Sequence, residues 1–306
     1  MSTVLYKALA FLFIIFLGYG GKRIGFFRPT DYKLISKITL NITLPAAIIS
    51  SFAATKRDSS LMILVFLGLA CNIFMFTLAY FLGRKQNAGT RALYLINMSG
   101  YNIGAFTLPF VQNFFSPYGV VATCMFDTGN SMMGTGGAYA LTCGILSAKD
   151  GKKLSGKEIL QRLLSSAPFD TYLLMLFLVI LGISIPRPIA AAASTIGAAN
   201  GFMAMLMLGT MFEIRFQASY LKKAALVLSV RYVFATLFAL AFYFLTPFSL
   251  EIRRVLTIIV FAPIAAISPA FTEKCGGDQE LSSFCVSVSI LTSICIMTAL
   301  LIFLPV

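Results

Sequence analysis

The sequence predicts an all-α integral membrane protein whose ten transmembrane helices form two inverted five-helix repeats, with the fourth and ninth helices broken. Three observations predict this fold. Hydrophobic residues make up 58% of the 306 positions and charged residues only 11%, whereas a typical soluble domain has about 25% charged residues. Ten apolar segments are each long enough to cross a bilayer, which takes about 20 residues. A polar stretch at 147–166 separates five segments from five, and an odd number of spans per half inserts the second half in the opposite sense.

Short connections join the ten apolar segments and leave no room for a soluble domain between them. The first segment lacks a small-residue cleavage site, so we interpret it as a retained span and not as a signal peptide. The chain therefore divides into a first repeat (1–146), a connecting loop (147–166) and a second repeat (167–306). The predicted spans are roughly 3–21, 34–54, 60–82, 91–115, 118–146, 168–185, 189–212, 224–246, 252–272 and 281–304.

The basic residues predict how the chain is oriented in the membrane. Alternate loops place 17 of the 24 Lys and Arg residues on one side and six on the other, with Arg231 inside a span. Cytoplasmic loops carry the excess of basic residues. We therefore expect a multi-pass protein of the cytoplasmic membrane with the 147–166 loop inside and both termini outside. The formal net charge of +13 then reflects orientation, and no nucleic-acid partner is expected.

Several kinds of chemistry are excluded or disfavoured by composition. The chain has no His and no Trp, which excludes catalysis and metal binding that depend on His. Its six Cys residues show no CxxC spacing, so neither a zinc site nor a disulfide framework is indicated. No GxxxxGK[ST] loop is present, so the chain does not hydrolyse ATP itself. We expect no metal, no cofactor and no enzymatic activity.

Glycine and proline interrupt the fourth and ninth predicted spans at corresponding places. The fourth reads SGYNIGAFTLPF at 99–110, and the ninth reads FAPIAAISPAF at 261–271. At about 1.5 Å per residue, Asn102 lies roughly 16 Å in from one face and Pro263 roughly 14 Å from the other. Both breaks therefore fall near the midplane, where irregular backbone is tolerated only beside protein or a cavity. Simple proline kinks are the alternative interpretation for each helix taken alone.

Two interrupted helices that meet at the midplane offer a site for an anion. Helix N-termini carry partial positive charge and unpaired N–H groups. The second span contains NITLPAA at 41–47, and IGAANGF at 196–202 occupies the corresponding place in the other half. Asn41 is either a further site residue or part of a repeated structural bend. The predicted substrate-binding residues are Asn41, Asn102, Gly104, Pro109, Asn130, Pro263 and Pro269.

A carboxylate within the fifth span predicts proton coupling. Asp127 lies about ten residues in from Pro117, and an ionised carboxylate at that depth costs about 2.5–3.5 kcal/mol on insertion scales. Asn130 follows at i+3 on the same helix face. We predict that Asp127 accepts and releases a proton, the alternative being a carboxylate held by structural hydrogen bonds. Arg231 is a candidate charge partner for Asp127 or for an anionic substrate, or else it snorkels to the surface.

The order and spacing of these motifs resemble the auxin efflux carrier family of bacteria, fungi and plants. The resemblance covers nearly the whole chain, and it rests on NITLPAA (41–47), SGYNIGAFTLPF (99–110), FDTGN (126–130), LMLGTMFE (206–213), FAPIAAISPAF (261–271) and SVSILTSI (287–294). The resemblance implies that broken helices four and nine cross each other. It also implies a mobile transport domain beside a scaffold formed by spans one, two, six and seven, in a homodimer.

The resemblance also implies a carboxylate substrate, namely auxin in plants and small dicarboxylates such as malate or malonate in some bacterial members. Asn102 occupies the place of the family's span-four asparagine, which implies contact with the substrate carboxylate. Pro109 and Pro263 correspond to the prolines of the crossover. The loop of about twenty residues at 147–166 is much shorter than the hydrophilic loop of the plant members. A bacterial-type member is therefore implied, and auxin is disfavoured as the substrate.

We therefore predict a secondary active transporter that moves a small organic anion by alternating access, with H⁺ or Na⁺ as the coupling ion. A sodium/proton-type cation antiporter on a similar inverted-repeat plan is one alternative, although only Asp127 is a convincing midplane carboxylate. A membrane enzyme is a second alternative, disfavoured by the lack of His. A sensor or channel that uses the fold without turnover is the third.

Overall fold

A computed structural model describes residues 2–55, 58–146, 157, 161, 164, 166–212 and 218–304. Throughout these ranges the regular structure is helical, apart from one antiparallel bridge between Tyr101 and Ile264. The sequence therefore predicted the all-α class correctly. Most of the predicted connecting loop, 147–166, lies outside the described residues.

The described residues follow the order of the predicted spans, and the helices are labelled here in that order, with the letters a and b for the two parts of a broken helix. Helices α2, α4 and α5 contain π-helical turns at Thr39–Thr43, Ile103–Thr107 and Met133–Gly137. The helices are α1 (Ser2–Arg23), α2 (Tyr32–Ile38 and Leu44–Ala53), α3 (Ile63–Gly83, after a 3-10 turn at Ser59–Met62), α4a (Ala88–Met98), α4b (Leu108–Phe114), α5 (Pro117–Met132 and Ala138–Leu146), α6 (Ala167–Leu181), α7 (Arg187–Gly197 and Asn200–Met211), α8 (Ala218–Leu245), α9a (Leu250–Ile259), α9b (Ser268–Lys274) and α10 (Gln279–Phe303).

Local sequence signals explain where several helices begin. The side chains of Asn87, Ser116 and Asp278 accept hydrogen bonds from backbone N–H groups at the starts of α4a, α5 and α10. Asn, Ser and Asp are favoured at this position because their oxygens satisfy N–H groups that have no helical partner. Pro117 follows Ser116 at the first helical position, where its missing N–H costs nothing.

Six helices are long and apolar enough to cross a membrane by length and composition, within the described ranges: Leu5–Arg23, Tyr32–Ala53, Ser60–Gly83, Arg187–Met211, Tyr220–Leu245 and Gln279–Phe303. α6 is apolar but shorter. Large hydrophobic side chains are exposed along these helices, among them Phe13, Phe66 and Phe244. Such an apolar outer surface is the expected one where lipid replaces water as the solvent. The chain is therefore a multi-pass membrane protein.

Two groups of helices are each joined by glycine contacts. In the first group α1 packs on α7, and α2 packs on α6 and α7. A Cβ at Gly209 would overlap the backbone of α1, and a Cβ at Gly197 would lie 2.8 Å from backbone atoms of Ala47. In the second group α3 packs on α5, where Cβ atoms at Gly68 or Gly129 would overlap the opposite backbone. Small residues allow such close backbone approach between membrane helices.

Candidate functional site at the helix crossing

The breaks in α4 and α9 lie against each other. The backbone N–H of Asn102 donates to the carbonyl of Pro263 at 2.9 Å, and Tyr101 pairs with Ile264 in the antiparallel bridge. Gly100 ends α4a with a φ of +77°, a conformation that residues other than glycine rarely adopt. The two predicted interruptions therefore form one crossing, in which each break supplies hydrogen-bond partners to the other.

The break in α9 is apolar, and its backbone groups are well supplied with partners. Residues Val260, Phe261, Ala262 and Ile264 are buried. The N–H of Ile264 donates to the Oγ of Ser289 at 3.0 Å, and this hydroxyl donates in turn to the carbonyl of Val286. This break offers no polar side chain of its own at 260–264.

Arg231 of α8 binds the carbonyl ends of both broken helices. Its guanidinium is buried and lies over the ring of Tyr101, with 4.8 Å from Cζ to the ring centroid. Carbonyl ends of helices carry partial negative charge, so a cation stabilises them. The guanidinium donates to the carbonyls of Asn97, Met98 and Gly100 at the end of α4a and of Ala262 and Pro263 after α9a, at 3.0–3.5 Å.

The hydrogen bonds of Arg231 differ from those expected from the sequence. In the part of the chain that the structure describes, they go to backbone carbonyls, and none goes to Asp127. Nor does the side chain snorkel, because only 4% of the residue is exposed. The sequence placed the charge at the correct helix but did not reveal that five backbone carbonyls at the two breaks would be its acceptors.

Asn102 presents an amide without a partner. Only 6% of the residue is exposed, and its Nδ2 has no hydrogen-bond partner among the described residues. Its own carbonyl accepts from the N–H and hydroxyl of Thr107 at the start of α4b, at 3.3 and 3.4 Å. A buried donor left unpaired costs about 1–3 kcal/mol, so this N–H group is a ready contact for an acceptor on a ligand.

Asp127 is held by donors from three different helices. Its Oδ1 accepts from Asn130 Nδ2, and its Oδ2 accepts from the hydroxyl of Tyr172 in α6, both at 2.7 Å. The backbone amide of Gly104 also hydrogen-bonds this carboxylate. A Cβ at Gly104 would lie 3.1 Å from Oδ2, so glycine permits the close approach of the α4 backbone. These hydrogen bonds stabilise the ionised form of the carboxylate, whereas its burial disfavours that form.

Asn130 connects Asp127 with the break in α4. Its Nδ2 donates to the carbonyl of Tyr101 at 2.8 Å as well as to Asp127, and its Oδ1 accepts from the N–H of Tyr101 at 2.9 Å. Asn72 of α3 completes the network, because its Nδ2 donates to the same Oδ1 and its own Oδ1 accepts from the N–H of Gly100. Both the nitrogen and the oxygen of the Asn130 side-chain amide are therefore hydrogen-bonded within the protein.

The predicted site residues divide into those at the crossing and those away from it. Asn41 is exposed, and its amide donates to the carbonyl of Lys37 in its own helix. The neighbouring Thr43 is the buried residue, and its hydroxyl donates to Asn200 Oδ1 at 3.2 Å. Pro109 and Pro269 begin α4b and α9b. The structure brings together Asn102, Gly104, Asp127, Asn130, Arg231 and Pro263.

Sequence reasoning missed two residues of this network. Asn72 lies in the apolar run GLACNIF, and a lone amide within a span is a signal that the sequence did offer. Tyr172 is the sixth residue of α6, and nothing in the local sequence distinguishes it from other tyrosines. No group of three or more Cys, Asp or Glu side chains that suits a metal ion occurs among the described residues.

Comparisons with known proteins identify two transport families along the chain. Residues 3–154 match the family described as Membrane transport protein. Residues 201–305 match the Sodium Bile acid symporter family. No curated protein matches the chain. The first match covers the helices up to the end of α5, and the second covers most of the second part of α7 (Asn200–Met211) together with α8, α9 and α10.

Proposed function

Because the chain belongs to the auxin efflux carrier family of membrane transport proteins, we propose that it is a secondary active transporter for a small organic anion. The substrate is a carboxylate or a dicarboxylate of the size of malonate or malate. The protein moves this substrate through the cytoplasmic membrane by alternating access, and the substrate binds where α4 and α9 meet. Proton binding at Asp127 drives the movement.

The unpartnered amide of Asn102 is the observation that carries this proposal. Its buried Nδ2 is a donor, and a carboxylate oxygen satisfies a donor where a cation does not. Arg231 adds a buried positive charge beside the same break. A charge-assisted hydrogen bond to a carboxylate is about twice as strong as a neutral one. The crossing therefore favours an anion with a planar oxygen pair.

Asp127 links anion binding to a proton. A bound carboxylate close to an ionised Asp127 meets like-charge repulsion, which is strong at low dielectric. Protonation of Asp127 removes this repulsion, so the anion and the proton are taken up together. Release of the anion then allows the carboxylate to ionise again within the donors of Asn130, Tyr172 and Gly104.

Alternating access is supported by the contacts between helices. Contacts within one half have counterparts in the other. The contact of α3 with α5 corresponds to that of α8 with α10, and the contact of α3 with α4a corresponds to that of α8 with α9a. The contact of α4b with α5 likewise corresponds to that of α9b with α10. Contacts between halves also pair, since α1 packs on α7 where α6 packs on α2. This correspondence is expected of two inverted repeats, in which one arrangement serves both sides of the membrane.

The two helix groups suggest which parts move. We infer that α1, α2, α6 and α7 form the scaffold and that the other helices form the mobile transport domain. The hydrogen bond from Tyr172 of α6 to Asp127 of α5 crosses between these groups. Its strength depends on whether Asp127 is charged, since bonds to charged groups are worth about 1.5–3 kcal/mol and neutral ones less. Protonation therefore weakens one contact that holds the domain in place.

Sodium is the alternative coupling ion, and the match of residues 201–305 to the Sodium Bile acid symporter family favours testing it. A sodium/proton antiporter that carries no organic acid is the rival function. Asp127 is the one buried carboxylate in the described part of the chain, whereas such antiporters usually have more than one. The basic residues favour both termini outside, and the exposed apolar surface is compatible with a homodimer in the bilayer.

Uptake of labelled malonate or malate into proteoliposomes tests the proposal. We expect saturable uptake with counterflow, which separates a carrier from a channel, and stimulation by an inwardly directed proton gradient. Stimulation of uptake by a sodium gradient at constant pH would instead indicate sodium coupling. Asn102→Ala is expected to raise the KM, and Asn41→Ala is the matched control because its amide is exposed. Cation exchange without uptake of any carboxylate would establish the antiporter.

A further inference from the structure

Two cysteines far apart in sequence lie in contact at one end of the molecule. Cys143 is in the second part of α5, and Cys275 directly follows α9b. Their Sγ atoms are 3.4 Å apart, and both side chains are partly buried. The other four cysteines are Cys71, Cys124 and Cys285, which are buried, and Cys295, which is exposed.

An aromatic contact fixes the two helices at this point. The rings of Tyr139 and Phe271 stack with 4.9 Å between centroids and 17° between planes. These residues and Ile96 of α4a form a small apolar cluster, against which Cys143 and Cys275 pack. Each aromatic residue lies four positions before its cysteine, one helical turn away. The stack therefore holds the two thiols side by side.

We propose that Cys143 and Cys275 form a redox-sensitive dithiol that a hydroperoxide converts into an intramolecular disulfide. One thiolate attacks the O–O bond and becomes a sulfenic acid, while the alcohol or water departs. The second thiol then attacks the sulfenic sulfur and expels water. The two thiols together lose two protons and two electrons, and the hydroperoxide is reduced to an alcohol and water. A thiol reductant reverses the reaction by exchange.

The bridge would join the second part of α5 to the end of α9b, two elements that each continue from the crossing. The second part of α5 follows the network residue Asn130, and α9b follows the break at Pro263. A covalent link would oppose any rearrangement of these two elements, so we expect the disulfide form to transport more slowly; this consequence alone rests on the proposed function. The basic residues predict that this end faces the cytoplasm, where thiols are normally kept reduced and a disulfide acts as a signal.

Thiol mapping of the purified protein in detergent tests the site without any substrate. The protein is treated with hydrogen peroxide, its remaining thiols are alkylated, and its peptides are analysed by mass spectrometry. We expect the loss of two of the six thiols, a peptide pair linked through Cys143 and Cys275, and recovery with dithiothreitol. Cys143→Ser and Cys275→Ser should each prevent the link, whereas Cys295→Ser should form it as the wild type does.

Three results would overturn the proposal. If Cys143 and Cys275 were still alkylated after peroxide treatment, the pair would not oxidise. A disulfide that joins other cysteines, or one that forms only between two chains, would contradict the assignment. Equal uptake by oxidised and reduced wild type, with the link present, would refute the effect on transport. Failure of uptake under all conditions bears on the proposed function alone, because the mapping is independent of it.

Discussion

The breaks in α4 and α9 meet at one crossing, yet their chemistry differs. The break in α4 carries Asn102, whose buried side-chain Nδ2 has no hydrogen-bond partner among the described residues. The same break adjoins the network of Asn130 and Asp127. The break in α9 is apolar, and Ser289 and Arg231 bind its backbone. Both breaks take part in the crossing, whereas the polar side chains belong to one of them.

This difference indicates that the two breaks have different roles. A break lined by apolar residues with satisfied backbone groups is inexpensive to bury, so the α9 break supplies a rigid surface at the crossing. The α4 break retains an unsatisfied donor, which costs stability unless a ligand binds it. We infer that the α4 break binds the substrate and that the α9 break supports it. Each of the following variants tests one side of that comparison.

Arg231→Met should have the largest effect, because Arg231 serves both breaks. The variant leaves the carbonyls of Asn97, Met98, Gly100, Ala262 and Pro263 without this donor. Each buried carbonyl left without a partner costs about 1–3 kcal/mol. We expect a much lower midpoint of thermal unfolding in detergent. The midpoint for Arg231→Lys should lie between those of the wild type and Arg231→Met, since Lys keeps the charge but lacks the planar guanidinium. A Met variant as stable as the wild type would show that the breaks do not depend on this guanidinium.

Asp127→Asn should abolish the proton dependence of uptake. The substituted amide keeps an oxygen that accepts from Asn130 or Tyr172 but does not titrate. Folding should therefore survive, and uptake into proteoliposomes should no longer respond to an imposed pH gradient. Asp170→Asn is the matched control, because Asp170 is an exposed carboxylate in α6. Retention of the wild-type pH response by Asp127→Asn would exclude Asp127 from coupling.

Asn102→Ala and Ser289→Ala separate the two breaks directly. Asn102→Ala removes an unpaired donor, so we expect little loss of stability. A hydrogen bond to a charged group contributes about 1.5–3 kcal/mol, so binding of the carboxylate should weaken about 10- to 100-fold. Ser289→Ala instead leaves the N–H of Ile264 unpaired, which costs about 1–3 kcal/mol of stability.

Thermal shift with and without a dicarboxylate measures both quantities for this pair of variants. We expect the substrate-induced shift to disappear for Asn102→Ala and to persist for Ser289→Ala, although the latter unfolds at a lower temperature. The opposite pattern would assign substrate binding to the α9 break. Equal losses of affinity in the two variants would show that the breaks share the role.

The sequence predicted the breaks themselves, because glycine and proline impose them locally. SGYNIGAFTLPF and FAPIAAISPAF contain the residues that end a helix, whatever surrounds them. The partners of Arg231 and the hydroxyl of Tyr172 were not predictable in the same way. Tyr172 lies 45 residues from Asp127, and such a contact depends on how the two helix groups pack. Local pattern therefore located the irregular backbone, and tertiary packing determined which side chains meet there.

Asn41→Ala should have the smallest effect, and Thr43→Val gives the sharper test of the same turn in α2. The amide of Asn41 is exposed and donates within its own helix, so its loss should change stability by less than about 0.5 kcal/mol. Thr43 is buried and donates to Asn200 of α7. Thr43→Val removes that donor at nearly constant volume and should cost about 1 kcal/mol. Thermal unfolding together with uptake kinetics distinguishes the two. If Asn41→Ala raised the KM as much as Asn102→Ala, the substrate would also contact α2, and the comparison of the two breaks would not describe the whole site.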